Sequence, residues 1–344
     1  MNTIDKYNLI TRNLQEITHD DSLRNIIEER SLKLYWGTAP TGRPHIGYLV
    51  PLLKIGDFLK AECEVTILFA DIHAYLDSMK STIEQLESRT KYYEILIKKI
   101  FEVLNIPIDK LSFVRGSEFQ LKPNYTFDMY KLMSHMSLKD AQKAGTEVVK
   151  QSKNPKMNSL LYPGLQILDE VYLDVDAQFG GVDQRKIFMA AEDFLPTINH
   201  HKRIHLMNPI IPSLKGMDKM NSSDPNSKID FLDTEDIFNK KISKAFCEPS
   251  NVENNPLLTF VEYVIFPMME TLNIPSFSTN RDEKYGGYIE FKTYDELLNA
   301  YKIDEYHPSD LKQGVREFMN PFLSKIRSIT EDDKINKLIK EAYE

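Results

Sequence analysis

The sequence predicts an α/β fold: a parallel sheet with helices on both faces, followed by an all-helical C-terminal part. Three observations predict it. Short apolar runs alternate with long helical patterns between residues 32 and 209. Turns bearing Pro or Gly, at 40–44 and at Gly180-Gly181, stand where a strand gives way to a helix. After about Asp233 the strand signals fade. Alternation of this kind is the pattern of a buried parallel sheet covered by its own crossover helices.

Taken in order, residues 2–30 read as polar, amphipathic helix. A strand at 32–38, rich in apolar and aromatic residues, leads through the 40–44 loop to a helix at 45–60. A second strand at 64–70, a long helix at 81–104 and a short strand at 111–114 follow. Residues 123–156 interrupt the alternation with polar helical segments. It resumes with a helix at 160–173, a strand at 175–179, a helix from about Asp183 and a last strand at 204–209. The boundary falls near 232. It gives a sheet domain over 1–232, with a helical insertion at about 120–157, and a helical domain over 233–344.

A chain of 344 residues is long for one core and suits two domains. With 42% hydrophobic and 27% charged residues it has the make-up of a globular protein, which excludes a disordered chain. No apolar run is long enough to span a bilayer, and residues 1–13 lack the apolar centre of a signal peptide. Cys63 and Cys247 form neither a metal-type spacing nor a disulfide framework. Together these features point to a reducing, cytoplasmic setting.

The net charge of −8 weighs against general nucleic-acid binding, since phosphate contacts need Lys and Arg. The charge is uneven, however. Lys139, Lys143, Lys150, Lys153 and Lys156 fall within 18 residues that hold only two acids, Asp140 and Glu147. A second basic stretch holds Lys312, Arg316, Lys325 and Arg327. Either is a solvated helix face or a local surface for a polyanion.

Four constellations carry chemistry. The segment 35–48 runs from Tyr35 at a strand end to His45-Ile46-Gly47-Tyr48 at a helix start. A helix N-terminus there offers free N–H groups and the positive end of the dipole to a phosphate. Gly47 leaves room for a flat base, and His45 can donate to a phosphate oxygen; the bland alternative is a surface turn. The polar loop 216–223 holds Lys219, Met220, Asn221, Ser222 and Ser223. A lysine on such a loop can neutralise charge developing on a polyphosphate. Tyr162, Gln166 and Asp169 stand at i, i+4 and i+7, hence on one helix face. They form either a structural network or a pocket for a polar ligand, because buried polar groups need partners. Gly180-Gly181-Val182-Asp183-Gln184 is a glycine turn in which Asp183 suits ribose hydroxyls and Gln184 a ligand amine or carboxylate; a turn capped by Asp is the structural alternative.

In this order on one sheet, the four segments resemble those of class I aminoacyl-tRNA synthetases, and among them the tyrosyl-tRNA synthetases of the archaeal and eukaryotic type. His45-Ile46-Gly47-Tyr48 resembles the HIGH signature and Lys219–Ser223 the KMSKS signature. His307-Pro308-Ser309-Asp310-Leu311-Lys312 is similar to the family's anticodon-binding segment. The resemblance covers nearly the whole chain and implies a Rossmann-like catalytic domain, a helical anticodon-binding domain and a homodimer. It implies that Tyr35 and Asp169 bracket the phenol hydroxyl of L-tyrosine and that Tyr162, Gln166 and Gln184 hold its α-amino group. Leu68 would lie against the ring, with His73 beside it. Gly37, His45, Gly47 and Asp183 would cradle ATP, brought as its Mg²⁺ complex, while Lys219 and Met220 reach it from the mobile signature. Tyr285, His307 and Asp310 would meet the anticodon of tRNA(Tyr). The resemblance implies no protein-bound metal or prosthetic group and no membrane. Tyr48 replaces the second His of HIGH, and Ser222 the second Lys of KMSKS. Catalytic roles at Tyr48, Ser222 and Ser223 therefore rest on the signatures alone, and Lys219 carries more of the phosphate work.

Three other readings remain at this level. The sister tryptophanyl-tRNA synthetases share fold and signatures, although the Tyr35/Asp169 pair favours a phenol. A former synthetase that only binds RNA would keep the fold without forming an adenylate. A cofactor adenylyltransferase with an HxGH signature would have no use for the 307–312 segment.

Overall fold

The computed structural model describes residues 1–77, 81–148, 156–219 and 228–344. Its central sheet has six strands: β1 (Glu16–Ile17), β2 (Lys33–Thr38), β3 (Glu64–Phe69), β4 (Leu111–Arg115), β5 (Ala177–Gly181) and β6 (Ile204–Asn208). Their spatial order is β1-β6-β5-β2-β3-β4. Neighbours among β2 to β6 are parallel, and β1 runs antiparallel to β6. The chain lays β2, β3 and β4 outward, then returns to the other side of β2 for β5 and β6. At that reversal the connections leaving β2 and β5 part, which opens a cleft at their carboxyl ends.

Helices α1 (Thr3–Thr11) and α2 (Asp20–Glu29) precede β2, and α3 (Leu49–Lys60) joins β2 to β3. Between β3 and β4 lie α4 (Asp71–Leu76) and α5 (Ile83–Val103). Between β4 and β5 come α6 (Pro123–His135), α7 (Leu138–Ala144) and α8 (Met157–Tyr172), and α9 (Arg185–Phe194) leads to β6. The expected sheet strands and their crossover helices are thus all present.

Three expectations need correction. The helix read over 2–30 is two helices separated by β1. Asn13 adopts a left-handed φ of 58°, and the Gln15 and Thr18 amides donate to Met207 O and His205 O, so the chain joins the sheet edge there. The loop expected at 216–223 begins as a strand: β7 (Pro212–Ser213) and β8 (Gly216–Lys219) form an antiparallel pair. Gly216 makes the turn with a φ of 116° that L side chains rarely adopt. Met220, Asn221, Ser222 and Ser223 lie outside the described residues.

The third concerns residues beyond 233. There α10 (Glu235–Lys244), α11 (Pro256–Phe260), α12 (Phe266–Leu272), α13 (Tyr294–Lys302), α14 (Pro308–Arg327) and α15 (Asp333–Tyr343) bear out the helical reading, with one π-helical turn at Val261–Ile265. The exception is an antiparallel hairpin, β9 (Phe277–Asn280) with β10 (Tyr288–Phe291). Four residues per strand leave too little alternation to read in sequence. The hairpin is held by burial instead, for Phe277, Thr279 and Phe291 are all buried.

Strand alternation divides the interior in two. Leu34, Trp36, Val65, Ile67 and Phe69 join a large core that continues through α3, α5 and the C-terminal helices to Ile339. Tyr35 and Leu68 point to the other face, into a smaller cluster built with α6 to α9. The cleft belongs to that smaller cluster.

One glycine tests the hairpin packing. A Cβ on Gly314 in α14 would collide with Thr279 Oγ1 and stand 2.7 Å from Phe277 Cζ. Alanine in a helix interior ordinarily stabilises by ~1 kcal/mol over glycine, whereas overpacking costs ~1–3 kcal/mol. Sterics should win here: Gly314→Ala lowers the urea midpoint, and a raised midpoint would refute the packing.

Candidate functional site

β2 ends at Thr38, and the chain re-enters a helix at His45. His45 caps a 3₁₀ turn, Ile46–Tyr48, by accepting the Gly47 amide at Nδ1 (3.2 Å). In the neutral ring the proton then sits on Nε2. The carbonyls of the preceding loop are held from outside. Arg89 donates to Thr41 O (2.6 Å), Lys228 to Arg43 O (3.0 Å), and the hydroxyls of Tyr93 (2.6 Å) and Tyr343 (3.2 Å) meet Gly42 O. Tyr48 turns edge-on to Trp36, His45 and Tyr93, with its hydroxyl 3.1 Å from Thr38 Oγ1. It ties the start of α3 to the end of β2.

Residues 228–230 are anchored to the first signature. The Ile46 amide donates to Ile229 O (2.9 Å), and His45 forms an isolated bridge with Asp230. β8 ends at the backbone of Lys219, and Asp230 stands against His45; Met220, Ser222 and Ser223 are not among the described residues.

Between β2, β5 and α8 lies a cavity of about 300 Å³. Tyr35, Leu68, His73, Tyr162, Gln166, Asp169 and Gln184 all line it, with Gly37 and Tyr48. The structure thus unites the pocket residues named from sequence. His45, Gly47 and Asp183 are outside its lining, on the turns that leave β2 and β5. At the second turn a Cβ on Gly181 would stand 2.5 Å from Asp183 Oδ1, so a side chain there would displace the Asp183 carboxylate from its present place. Larger recesses, of about 660, 600 and 630 Å³, lie elsewhere: one at the amino ends of β2 and β6, one against α12, and one between α5, α12 and α14. None of these lies at the carboxyl ends of the strands, where the sheet topology opens a cleft.

Asp169 dominates the electrostatics. It is 1% exposed. Its Oδ1 accepts from Gln120 Nε2 (2.8 Å) and meets the Tyr125 hydroxyl (2.9 Å), while Oδ2 has no hydrogen-bond partner among the described residues. Burial pushes the carboxyl up to about 7, although Gln120 and Tyr125 oppose the shift; the charges of Glu170 and Asp71 add to it. His73 Nε2 lies 3.9 Å from Oδ2, and among the described residues neither ring nitrogen of His73 meets a partner in good hydrogen-bond geometry. Burial lowers His73 to about 3, opposed by the backbone of Tyr162, so it is neutral at physiological pH and the contact is no ion pair. Burial, and then the Asp169 charge, raise Tyr35, which stays a neutral donor to Gln166 O (3.3 Å). Gln166 Nε2 donates to Gln184 Oε1 (3.2 Å).

Each unsatisfied buried polar group costs about 1–3 kcal/mol, and native structures hold few of them. Asp169 Oδ2, both His73 nitrogens and Gln178 Oε1 are such atoms, all on residues lining this cavity. The arrangement suits a ligand with an apolar body and a hydroxyl. Among the described residues no cluster of His, Cys, Asp and Glu could hold a metal ion. The Cys63 thiol is buried and pushed up to about 12 by desolvation, which leaves it unreactive.

At the far end of the chain, Tyr285 is exposed on the turn between β9 and β10. His307 caps α14 by accepting the Ser309 amide, and Asp310 lies in the first turn of that helix. Arg281 fastens the two, donating to Gly287 O (3.0 Å), Glu305 O (3.1 Å) and Asp310 Oδ2 (3.4 Å). Gly286, at φ 99°, lets the turn pass that guanidinium. Sequence reasoning missed Arg281, Gln120, Tyr125 and Gln178. A glutamine inside the apolar run 175–179 was a readable signal for the last; Gln120 and Tyr125 sit among polar residues that hide them.

Comparisons with known proteins agree with this geometry. The family model for tRNA synthetases class I (W and Y) matches residues 28–324. The cytoplasmic tyrosine–tRNA ligase of Gallus gallus is 52% identical over 339 residues, which are 98% of this chain and 63% of that protein. The cytoplasmic enzyme of Saccharomyces cerevisiae is 51% identical over 343 residues, 98% of this chain and 86% of the relative. The crystal structure of tyrosyl-tRNA synthetase complexed with L-tyrosine from Archaeoglobus fulgidus is 34% identical with a TM-score of 0.86, covering 95% of this chain and 99% of that one. The chain belongs to the class I tRNA synthetases of the W and Y type, within the tyrosine–tRNA ligase family. It spans 63% of the length of the vertebrate relatives it matches.

The Asp169 shift has a sign that can be measured. A carboxyl raised from 3.8 to about 7 binds a proton in the native state that the unfolded chain has released. Native stability therefore declines through this group as pH rises from about 4 to about 7. Asp169→Asn removes that slope. Relative to wild type, the variant should gain roughly 2–3 kcal/mol of unfolding free energy between about pH 5 and pH 8, read from denaturant titrations. A difference independent of pH would mean that Asp169 does not titrate there.

Proposed function

We propose that the protein activates L-tyrosine with Mg-ATP to tyrosyl-adenylate and transfers the tyrosyl group to the 3′ end of tRNA(Tyr), acting in the cytoplasm as a homodimer. The observation that carries this reading is the cavity residue Asp169, buried with one carboxylate oxygen unpartnered, beside neutral His73 and across from the Tyr35 hydroxyl. A phenol hydroxyl meets that need, and Leu68 supplies an apolar wall. The relatives' names support the substrate, and the archaeal structure is a complex with L-tyrosine.

In this reading Tyr162, Gln166 and Gln184 take the α-amino group, the Gln166–Gln184 bond being exchanged for bonds to the ligand. Gly37, His45, Gly47 and Asp183 hold the nucleotide, and Lys219 with the Met220–Ser223 stretch closes on its phosphates. The tyrosine carboxylate attacks the α-phosphorus and pyrophosphate leaves. A ribose hydroxyl of the tRNA's terminal adenosine then attacks the activated carbonyl and AMP leaves. No protein nucleophile is required; rate comes from positioning and from charge stabilisation at the phosphates. Magnesium enters with ATP as part of the substrate. Residues 1–232 would perform the chemistry, while 233–344 would read the anticodon through Tyr285, His307 and Asp310. Exposed Leu121, Phe127, Tyr130, Leu138 and Met157 in the insertion support a covered, dimeric face.

Phenylalanine is refused because it would leave the open oxygen of Asp169 unpaired in a filled cavity; tyrosyl-tRNA synthetases are themselves the standard instance of this discrimination. ATP–pyrophosphate exchange tests the whole reading. Tyrosine should support exchange, with tryptophan and phenylalanine inactive. Exchange with tryptophan would move the assignment to the sister enzymes, and none at all would leave an RNA-binding protein. Lys219→Ala should slow activation ~100-fold or more with little change in tyrosine KM. Asp169→Ala should abolish the preference for tyrosine over phenylalanine, and intact discrimination in that variant would remove Asp169 from the pocket.

A further inference from the structure

Asp169 is followed on α8 by a second buried acid, Glu170, which does not line the cavity. Glu170 Oε1 lies 2.8 Å from His205 Nε2, and both side chains are 0% exposed. His205 stands on β6 in a row that crosses the sheet: Tyr35 is in register with Gln178, and Gln178 with His205. Residues in register share a face. α8 is therefore fastened to one row at two points, by the Tyr35 hydroxyl to Gln166 O at 3.3 Å and by Glu170 to His205. The cavity residue Asp169 lies between them in sequence, one residue before Glu170.

His205 is held from every side. Its ring stacks on Phe188 of α9, with centroids 4.6 Å apart. Its Nδ1 is 3.4 Å from Glu192 Oε1 and 3.4 Å from Thr18 Oγ1. Glu192 also meets His19 Nε2 at 2.8 Å and Lys202 Nζ at 3.4 Å. Burial alone would lower His205, but the charge and hydrogen bond of Glu170, aided by Glu192, raise it to about 9. It is a cation at neutral pH. Around Asp169 the polar and charged groups are Gln120 and Tyr125, His73 and Asp71 from α4, Tyr35 from β2, and Glu170.

A buried ion pair is a poor way to gain stability, since desolvation offsets its attraction and an apolar pair would pack as well. What it supplies is direction: a charge-assisted bond from a central strand to the residue next to Asp169. It also places a positive charge beside the acid that adjoins Asp169. The geometry points to His205 and Glu170 as positioning residues for amino-acid selectivity, holding the turn of α8 that bears Asp169 in register with Tyr35. This inference rests on the tyrosine reading of the cavity and adds two residues outside it.

The test is amino-acid-dependent ATP–pyrophosphate exchange with tyrosine and phenylalanine across pH, for wild type, His205→Leu and Glu170→Gln. His205→Leu leaves Glu170 without its donor. It should lower the tyrosine-to-phenylalanine ratio of kcat/KM by ~10-fold or more, chiefly through the tyrosine KM, with the ATP KM unchanged. Glu170→Gln keeps an acceptor for His205 Nε2–H, so the ratio stays near wild type. It removes the like charge beside Asp169, so the acid limb of tyrosine kcat/KM moves to lower pH. Equal losses with both amino acids in His205→Leu, or an unmoved acid limb in Glu170→Gln, would overturn the inference. If thermal melts show that His205→Leu does not fold, Glu170→Ala, which breaks the same tie from the other end, takes its place: the same fall in the tyrosine-to-phenylalanine ratio is expected, and equal losses with both amino acids would overturn the inference. Wild-type protein without any preference for tyrosine would overturn the proposed function itself, before a variant is made.

Discussion

The burial of one carboxylate, that of Asp169, is the constraint around which the cleft is organised. Taking a charge out of water is tolerable only where donors replace the water. Gln120 and Tyr125 supply donors to one oxygen, and Tyr125 also meets Leu165 O at 2.8 Å, so the insertion is fastened to α8 at the same point. The other oxygen is left without a partner. The resulting balance holds the carboxyl near 7, where a hydrogen bond from a ligand shifts it readily toward the charged form. Stability is spent at this point on recognition, as is usual where buried polar atoms are left unpaired at a site.

The second half of the cleft is made rigid by a different means. The loop before His45 has no regular structure of its own, and side chains from distant parts of the chain take up its carbonyls. Arg89 is the hub: its Nε donates to Ala342 O at 2.7 Å while its guanidinium reaches Thr41 O. Arg43 and Arg89 both lie over the Tyr343 ring. The last helix therefore packs on α5 and reaches the loop that precedes the first signature. The sheet unit and the C-terminal helices share one continuous apolar core, so the conformation of this loop depends on both.

Recognition and chemistry are divided between these two halves. The buried side of the cleft offers polar atoms in want of partners, suited to a small ligand that satisfies them. The rim offers an imidazole whose Nδ1 is committed to Gly47, a helix start and glycine turns, suited to phosphate and ribose. Among the described residues neither half holds a reactive nucleophile, and the proposed reaction needs none.

By itself the sequence determined the parallel α/β architecture and the order of its elements, and it named one helical face of the cavity by spacing and Tyr35, Leu68 and His73 through the family resemblance. Hydrophobic period and glycine turns are local properties, and the spacing of Tyr162, Gln166 and Asp169 places them on one helix face wherever that helix packs. Tertiary structure alone decided β1, the β7–β8 and β9–β10 pairs, the support of Asp169 by Gln120 and Tyr125, and the tie from Arg281 to Asp310. Each joins residues far apart in the chain through short strands or single polar contacts, which leave no period to read. It also decided the charge states. His73 and His205 are the same residue type with the same ordinary value, yet burial lowers one to about 3, while buried Glu170 and half-buried Glu192 raise the other to about 9. A pKa is set by what the fold brings within a few ångströms, and that neighbourhood is assembled only when the chain has folded.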